Sequence, residues 1–523
     1  MIRSISSLAF LTSFSYSCMI RFIFLKRQSV SVIEDKACID NCISAFFPYW
    51  CRRSAFSAVG FYPTDKINVY PGLIERTVMM INAQDKAGGI NGLKRIFRTL
   101  ASRNYRLFFT GQSISLIGTW MQRVAMSWLI YQMTSSKFLL GLVSFIGLIP
   151  VFVLSPFAGV LADRFNRLHL LIATQALAML QALLLAILVM TGLIKVGHVM
   201  VLAAFLGLVN AFDTPIRQAF TAELIEKKED LSNAIALNSA MFNGARIVGP
   251  TIAGLLIAVF GEGFCFLLNG LSYLAVLAAL LLMRIAPAVK MAPQQKLLKG
   301  LKEGFFYSFG FVPIQAVLFL LMAVSIMGIP YMVLLPVFAK DILHGGAHTL
   351  GFLMGAAGCG ALCGALYLAQ RSTVVGLERV IPLMTGLFSL GLIGFALSRH
   401  QWLSLLFLFI TGFGLMVQMA SSNTILQTIV DDDKRGRVMS FYVMCVMGTT
   451  PIGSLLGGAV ADRLGTPETL LIGGSCCLVG ALLFVRKLPA IREIICPIYI
   501  EKGIISEVAV GLQAATQWPK PPA

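Results

Sequence analysis

From about Leu107 onward the chain is a succession of apolar runs, each roughly 17–25 residues long and separated by short polar breaks. Leu168 to Gly192 and Thr469 to Val485 are examples. Runs of this length match the ~30 Å hydrocarbon layer when coiled as helices, and they are too long for the ~10-residue alternating strands of a membrane barrel. Inside lipid no water is available to bond the backbone, so each run must satisfy its own N–H and C=O groups as a helix. Composition agrees: 57% of residues are hydrophobic and 13% charged, against about 25% charged in soluble domains. The fold class that follows is an all-α integral membrane protein.

Twelve spans can be drawn. The first six are Leu107 to Tyr131, Leu139 to Leu161, Leu168 to Met190, Val199 to Phe220, Ala234 to Phe260 and Phe264 to Met283. The second six are Val312 to Phe338, Leu350 to Leu368, Val380 to Leu397, Leu403 to Ala420, Val438 to Val460 and Thr469 to Val485. Short loops rich in Lys and Arg stay on the cytoplasmic side. Alternate loops hold Arg103, Arg106, Arg164, Arg167, Lys227, Lys228, Arg371, Arg379, Lys434, Arg435 and Arg437, whereas the intervening ones hold only Lys137, Lys195, Lys340, Arg399 and Arg463. Both termini are therefore predicted cytoplasmic, in a multi-pass protein of the inner (plasma) membrane. A basic linker at 285–311 divides an N-terminal six-helix bundle at 91–284 from a C-terminal one at 312–488, with a tail at 489–523. The halves echo each other, as Pro250-Thr-Ile-Ala-Gly-Leu-Leu and Pro451-Ile-Gly-Ser-Leu-Leu-Gly show in the fifth and eleventh spans. Residues 1–90 carry no helix-period pattern and read as an extension, disordered or overextended, with translation expected to start at Met79 or Met80.

The net charge of +18 would suit nucleic acid if it lay on one soluble face, but the basic residues are dispersed between apolar runs. No nucleic-acid partner is expected. The eleven cysteines show no zinc or disulfide spacing, and no Gly-rich phosphate loop is present. The reading is no metal, no cofactor and no enzyme activity.

Between the second and third spans stands Gly159-Val-Leu-Ala-Asp163-Arg164-Phe-Asn166-Arg167. It resembles the signature loop of the major facilitator superfamily, which implies two six-helix bundles around a central cavity. The resemblance also implies that Gly159, Asp163, Arg164 and Arg167 latch onto the start of the eleventh span, here Arg435 and Arg437, on the cytoplasmic side. Asn166 stands where the family usually has Gly, and Asn also tolerates a left-handed backbone. Arg103-Asn-Tyr-Arg-Leu-Phe-Phe-Thr-Gly-Gln112, Gly118-Thr-Trp-Met-Gln122-Arg123, Phe212-Asp213-Thr-Pro215-Ile-Arg217 and Pro330-Tyr-Met-Val-Leu-Leu-Pro336 resemble a narrower group, that of the enterobactin exporter and related drug:proton antiporters. Export driven by the proton gradient is what that resemblance implies.

A charge within a span costs at least ~2.5–3.5 kcal/mol, so each one present calls for an account. Gln112, Trp120, Gln122 and Arg123 of the first span are the candidates for lining a substrate cavity; for Arg123 the alternative is snorkelling to the interface. Asp213 and Arg217, one turn apart, and with them Arg246 of the fifth span, are candidates for a proton-coupling site or an ion pair. Arg246 precedes Gly249-Pro250, and Gly244, Gly249, Pro250 and Gly254 resemble the superfamily's antiporter motif, which would permit close packing and a bend. The expected function is secondary transport: proton-coupled export of a small amphipathic molecule, siderophore or drug-like, by a monomer in the lipid bilayer. Uptake or lipid translocation by the same fold, and a channel or receptor, are the alternatives.

Overall fold

The computed structural model describes residues 97–225, 230–284, 305–371 and 373–504, without the side chains of 97–98, 155–164, 222, 231–232 and 432–433. The 1–90 extension, the translation start and most of the linker lie outside the described residues. Within them the chain forms twelve long helical runs and no strand. They are α1 (Arg103–Thr134), α2 (Lys137–Arg164), α3 (Arg167–Met190), α4 (Val196–Glu223), α5 (Leu231–Phe260) and α6 (Glu262–Leu282). Then come α7 (Val312–Ile342), α8 (Ala347–Ala369), α9 (Leu377–Leu397), α10 (Gln401–Ile429), α11 (Lys434–Leu464) and α12 (Thr466–Glu501). Eleven are long and apolar enough to cross a membrane; α1 falls short because Arg103, Arg106, Arg123 and several Gln and Ser residues dilute it.

A helix covers each expected span, and two helices run far past their apolar stretch. α10 continues from Ala420 to Ile429, and α12 continues from Val485 to Glu501 through two prolines. The extension of α12 covers part of what the sequence assigns to a tail. It is held because Ile491, Ile495 and Tyr499, spaced by four, lie on one helix face and are buried against the C-terminal half. Lys502 then donates to the carbonyls of Thr428 (2.7 Å) and Val430 (3.0 Å), supplying a cation to the open end of α10.

The packing repeats itself. Within the first half α1 packs on α5 and α6, α2 on α4, and α3 on α4 and α6; within the second, α7 packs on α11 and α12, α8 on α10, and α9 on α10 and α12. Between halves the main seams are α2 with α11 and α5 with α8. The same difference in residue number separates Gly249 from Gly453, Gly254 from Gly458 and Gly261 from Gly465, and the members of each pair occupy matching places. Gly249 abuts the carbonyl of Ile117 in α1, and Gly453 that of Ile326 in α7. Gly261 (φ 78°) and Gly465 (φ 107°) both make the sharp joint into the next helix with a backbone few other residues adopt. This corrects the echo read from sequence: in this register Pro250 matches Ser454, three residues beyond Pro451. The prolines are conspicuous in sequence, but the glycines carry the symmetry, because the packing repeats the close backbone contacts that they permit.

The halves also differ in helix geometry. α7 contains π-helical turns at Val324–Gly328 and Phe338–Ile342, and α11 one at Met444–Gly448. Their six-residue bonds are seen in Ile329 N–H to Val324 (2.9 Å) and Leu343 N–H to Phe338 (2.9 Å).

Candidate functional site: a central cavity

The apolar core is not evenly shared. At the end of the molecule holding Tyr131, Leu140, Ala253, Ala347 and Ala461, one continuous cluster of buried side chains runs through both halves. Toward the other end it divides: Tyr105, Leu171, Phe220 and Tyr273 belong to a core made by the first half alone, and Ile314, Ile381, Leu426 and Tyr499 to one made by the second alone. The halves are thus joined at one end and separate cores at the other.

Two glycine crossings draw the joined end together. A Cβ on Gly458 (α11) would lie 2.7 Å from the Lys137 carbonyl and 3.0 Å from the Cα of Gly141 (α2). A Cβ on Gly254 (α5) would lie 2.7 Å from the Ala347 carbonyl and 3.0 Å from the Cα of Gly351 (α8). Both are closer than side chains allow, so only glycine lets these backbones touch. Polar links sit alongside. The Tyr131 hydroxyl donates to Asp341 Oδ2 across α1 and α7, Lys340 lies 5.5 Å from the Tyr131 ring, and Lys137 donates to the Ala461 carbonyl (3.2 Å).

Between the halves lies a cavity of about 360 Å³. The first half contributes residues of α1, α2 and α4, among them Trp120, Arg123, Ser144 and Asn210; the second contributes Ile329, Met332, Met354, Thr450 and others from α7, α8 and α11. Its volume falls in the ~300–1,000 Å³ range of small-molecule sites, and its mostly apolar wall with a few polar groups is the usual composition. Trp120 and Arg123, expected here, are both in the wall. The Arg123 guanidinium lies 4.8 Å from the centre of the Trp120 ring, and Arg246 reaches the same ring from α5 at 5.9 Å. Phe242 meets that ring edge-on at 5.9 Å.

Gln112 and Gln122 are elsewhere. Gln122 is 2% exposed and turned away from the cavity, donating to Gln181 (2.8 Å) and accepting from Asn269 (2.6 Å), while Gln181 donates to the Leu202 carbonyl (3.3 Å). The chain of amides ties α1, α3, α4 and α6 together behind the site. One position along α1 is about 100° of rotation, so adjacent Gln122 and Arg123 necessarily face different surroundings. Gln112 is buried with its carbonyl oxygen unpartnered.

Asp213, 3% exposed, accepts from Thr174 (2.9 Å) and Gln175 (2.6 Å) of α3 with Oδ1, and its Oδ2 lies 3.4 Å from Arg217. Pro215 does not break α4, so the pair shares a face as expected. Of the motif glycines, Gly249 and Gly254 are at tight contacts, Pro250 is buried, and Gly244 faces open space, with nothing within 4 Å of a Cβ placed there.

At the signature loop, Gly159, Asp163 and Arg164 end α2, and their side chains lie outside the described ones. Arg167 pairs with Glu223 at 3.4 Å. Asn166 is not left-handed as its family position suggested: at φ −66°, ψ 116° it caps α3, its side chain accepting from Leu168 N–H (2.9 Å). Arg435 and Arg437 open α11, and Arg435 lines a shallow polar recess with Thr424, Gln427 and Lys502.

Comparison with known proteins places this arrangement. The family described as transmembrane secretion effector matches residues 96–497. The staphyloferrin A transporter of Staphylococcus aureus is 28% identical over 389 residues, covering 73% of this chain and 96% of that protein. Macrolide efflux protein A of Streptococcus pyogenes is 25% identical over 409 residues, covering 75% and 97%. Among solved structures, a bacterial homologue of the human lysosomal transporter Spinster, inward-facing and unoccupied, superposes with a TM-score of 0.59 at 14% identity, covering 75% of this chain and 98% of that one.

Proposed function

The chain belongs to the transmembrane secretion effector family of major facilitator transporters, and from that premise we propose that it exports a small amphipathic molecule from the cytoplasm in exchange for protons. The observation that carries this reading is the divided core: one apolar seal spanning both halves at one end, two separate cores at the other, and a drug-sized cavity between. A channel needs a continuous path, whereas a carrier needs a site closed on one side at a time. With the charged loops assigned to the cytoplasm, the divided end faces inward and the glycine-sealed end faces out. That is the arrangement in which an exporter takes up its cargo. Two relatives, named for a staphyloferrin and for macrolide efflux, suggest siderophore-like or drug-like cargo. The plasma membrane is the setting, both termini lie in the cytoplasm, and the monomer is the working unit.

Proton coupling is assigned to Asp213, the one buried carboxylate of the first half among the described residues. To carry a proton it must part from Arg217, which makes the pair a switch linking protonation to the α3–α4 contact. Inside-out proteoliposomes under an imposed pH gradient test the reading. Accumulation of a siderophore or drug that stops when the gradient is collapsed supports antiport. Uptake in the opposite orientation, or conductance without saturation, would overturn export.

A further inference from the structure

If the chain is an exporter, a reading on which the assignment of a cargo rests, its cavity wall also bears on the charge of that cargo. Two guanidinium groups, Arg123 and Arg246, lie against one aromatic ring at the cavity wall. Neither forms an ion pair among the described residues, and Asp213, the buried acid of the first half among those residues, is committed to Arg217, Thr174 and Gln175. Among the described residues that line the cavity there is no Asp or Glu. A ring quadrupole returns ~0.5–2 kcal/mol per cation, less than the ~2.5–3.5 kcal/mol that each charge costs within a span, and two like charges on one ring also repel. The site as it stands is therefore short of negative charge.

We infer that the Arg123–Trp120–Arg246 cluster is the head-group subsite of the cavity, and that the cargo is an amphipathic organic anion carrying a carboxylate, sulfonate or phosphate. A guanidinium offers two parallel N–H donors to such a group, and Arg123 is exposed to the cavity to do so. The rest of the wall suits an apolar body: Met126, Met332 and Met354 are flexible enough to fit varied shapes, and Leu206 and Ile329 add apolar area. Among the described residues of the cluster and the cavity wall, the charge is confined to the first half. In the register fixed by the glycines, Thr450 occupies the place in α11 that Arg246 holds in α5. A cargo would then bind with its anionic end on the first half and its apolar end across the second. An organic cation finds the Trp120 ring already flanked by positive charge.

The test is calorimetric titration of the purified full chain with 2-naphthoate and with 2-naphthylmethylammonium, which share a ring system and differ in charge. The anion is expected to bind at least tenfold more tightly. Arg123→Gln and Arg246→Gln should each weaken the anion about tenfold or more without weakening the cation, and Arg123→Lys should keep most of the preference. Equal or tighter binding of the cation, an anion preference that survives in the double Gln variant, or binding of neither probe would overturn the inference. The comparison on the unmodified protein needs no variant, so misfolding cannot obscure it. Displacement of naphthoate by phosphatidylglycerol but not phosphatidylcholine would assign the head group to a bilayer lipid; no displacement would assign it to a soluble anion. Naphthoate binding without outward flux would sink the export reading alone, and flux with a preference for cations would sink only the anion assignment.

Discussion

Replacing Gly458 with valine should drive the protein out of its present state and toward the one open at the opposite end. The added Cβ would sit 2.7 Å from the Lys137 carbonyl and 3.0 Å from the Cα of Gly141. Both neighbours are backbone, which cannot rotate aside, so α2 and α11 must separate by several tenths of an ångström or more. Forcing extra carbon into a packed contact typically costs ~1–3 kcal/mol. If the contact exists only while this end is sealed, the whole cost falls on the sealed state and the ratio of states shifts by about 5- to 150-fold. Spin labels on encoded p-acetylphenylalanine at Leu193 and His400, exposed positions near the sealed ends of the two halves, would report the change by double electron–electron resonance. The valine variant should show a longer, newly dominant distance. Gly244→Ala is the control, since a Cβ there meets nothing within 4 Å and the change should be neutral or stabilise α5 by up to ~1 kcal/mol. An unchanged distance distribution in a correctly folded Gly458→Val protein, or an equal shift in the control, would refute the argument.

Tyr131→Phe removes the donor to Asp341 and should weaken the same seal by about 1–2 kcal/mol, seen as a smaller shift between the same labels. Gln122→Ala strands Gln181 and Asn269 behind the site and should cost ~1–3 kcal/mol of stability per unpaired group, lowering the melting temperature while leaving KM for cargo unchanged. Asp213→Asn should abolish proton-driven flux while counterflow of cargo persists; loss of both would mean that Asp213 serves folding alone. Ending the chain after Leu488 removes Ile491, Ile495 and Tyr499 from the second core and should destabilise that half measurably, by limited proteolysis or thermal melting in detergent.

Most of the fold was legible because lipid makes a strong demand: a span must be long, apolar and helical, and such runs stand out without any structure. Helix ends were less legible for the same reason. The apolar run of the twelfth span stops near Val485, but the helix goes on for another stripe of Ile491, Ile495 and Tyr499 that answers to protein packing and not to lipid. At the site, Trp120 and Arg123 were recognisable as costly or bulky groups at mid-span depth. Gln122 was misplaced because its depth is the same and only the helix face differs, and faces are decided by what the neighbouring helices bring. The contact between Arg246 and Trp120 was also hidden, since the two meet only when α1 and α5 cross. The glycine register is present in the sequence as the shared offset of Gly249, Gly254 and Gly261 with Gly453, Gly458 and Gly465, an offset that Pro250 and Pro451 do not share.

The two glycine crossings have an ancestry written into them. Gly141 meets Gly458 where the second span touches the eleventh, and Gly254 meets Gly351 where the fifth touches the eighth. Exchange the halves and each crossing becomes the other, which is the signature of an isologous contact between two copies of one subunit. A six-helix ancestor bearing one glycine on its second span and one on its fifth would already hold everything needed to dock on itself, and gene duplication would install all four at once. The first half, expressed alone, should still present both surfaces of that contact and pair with its own kind.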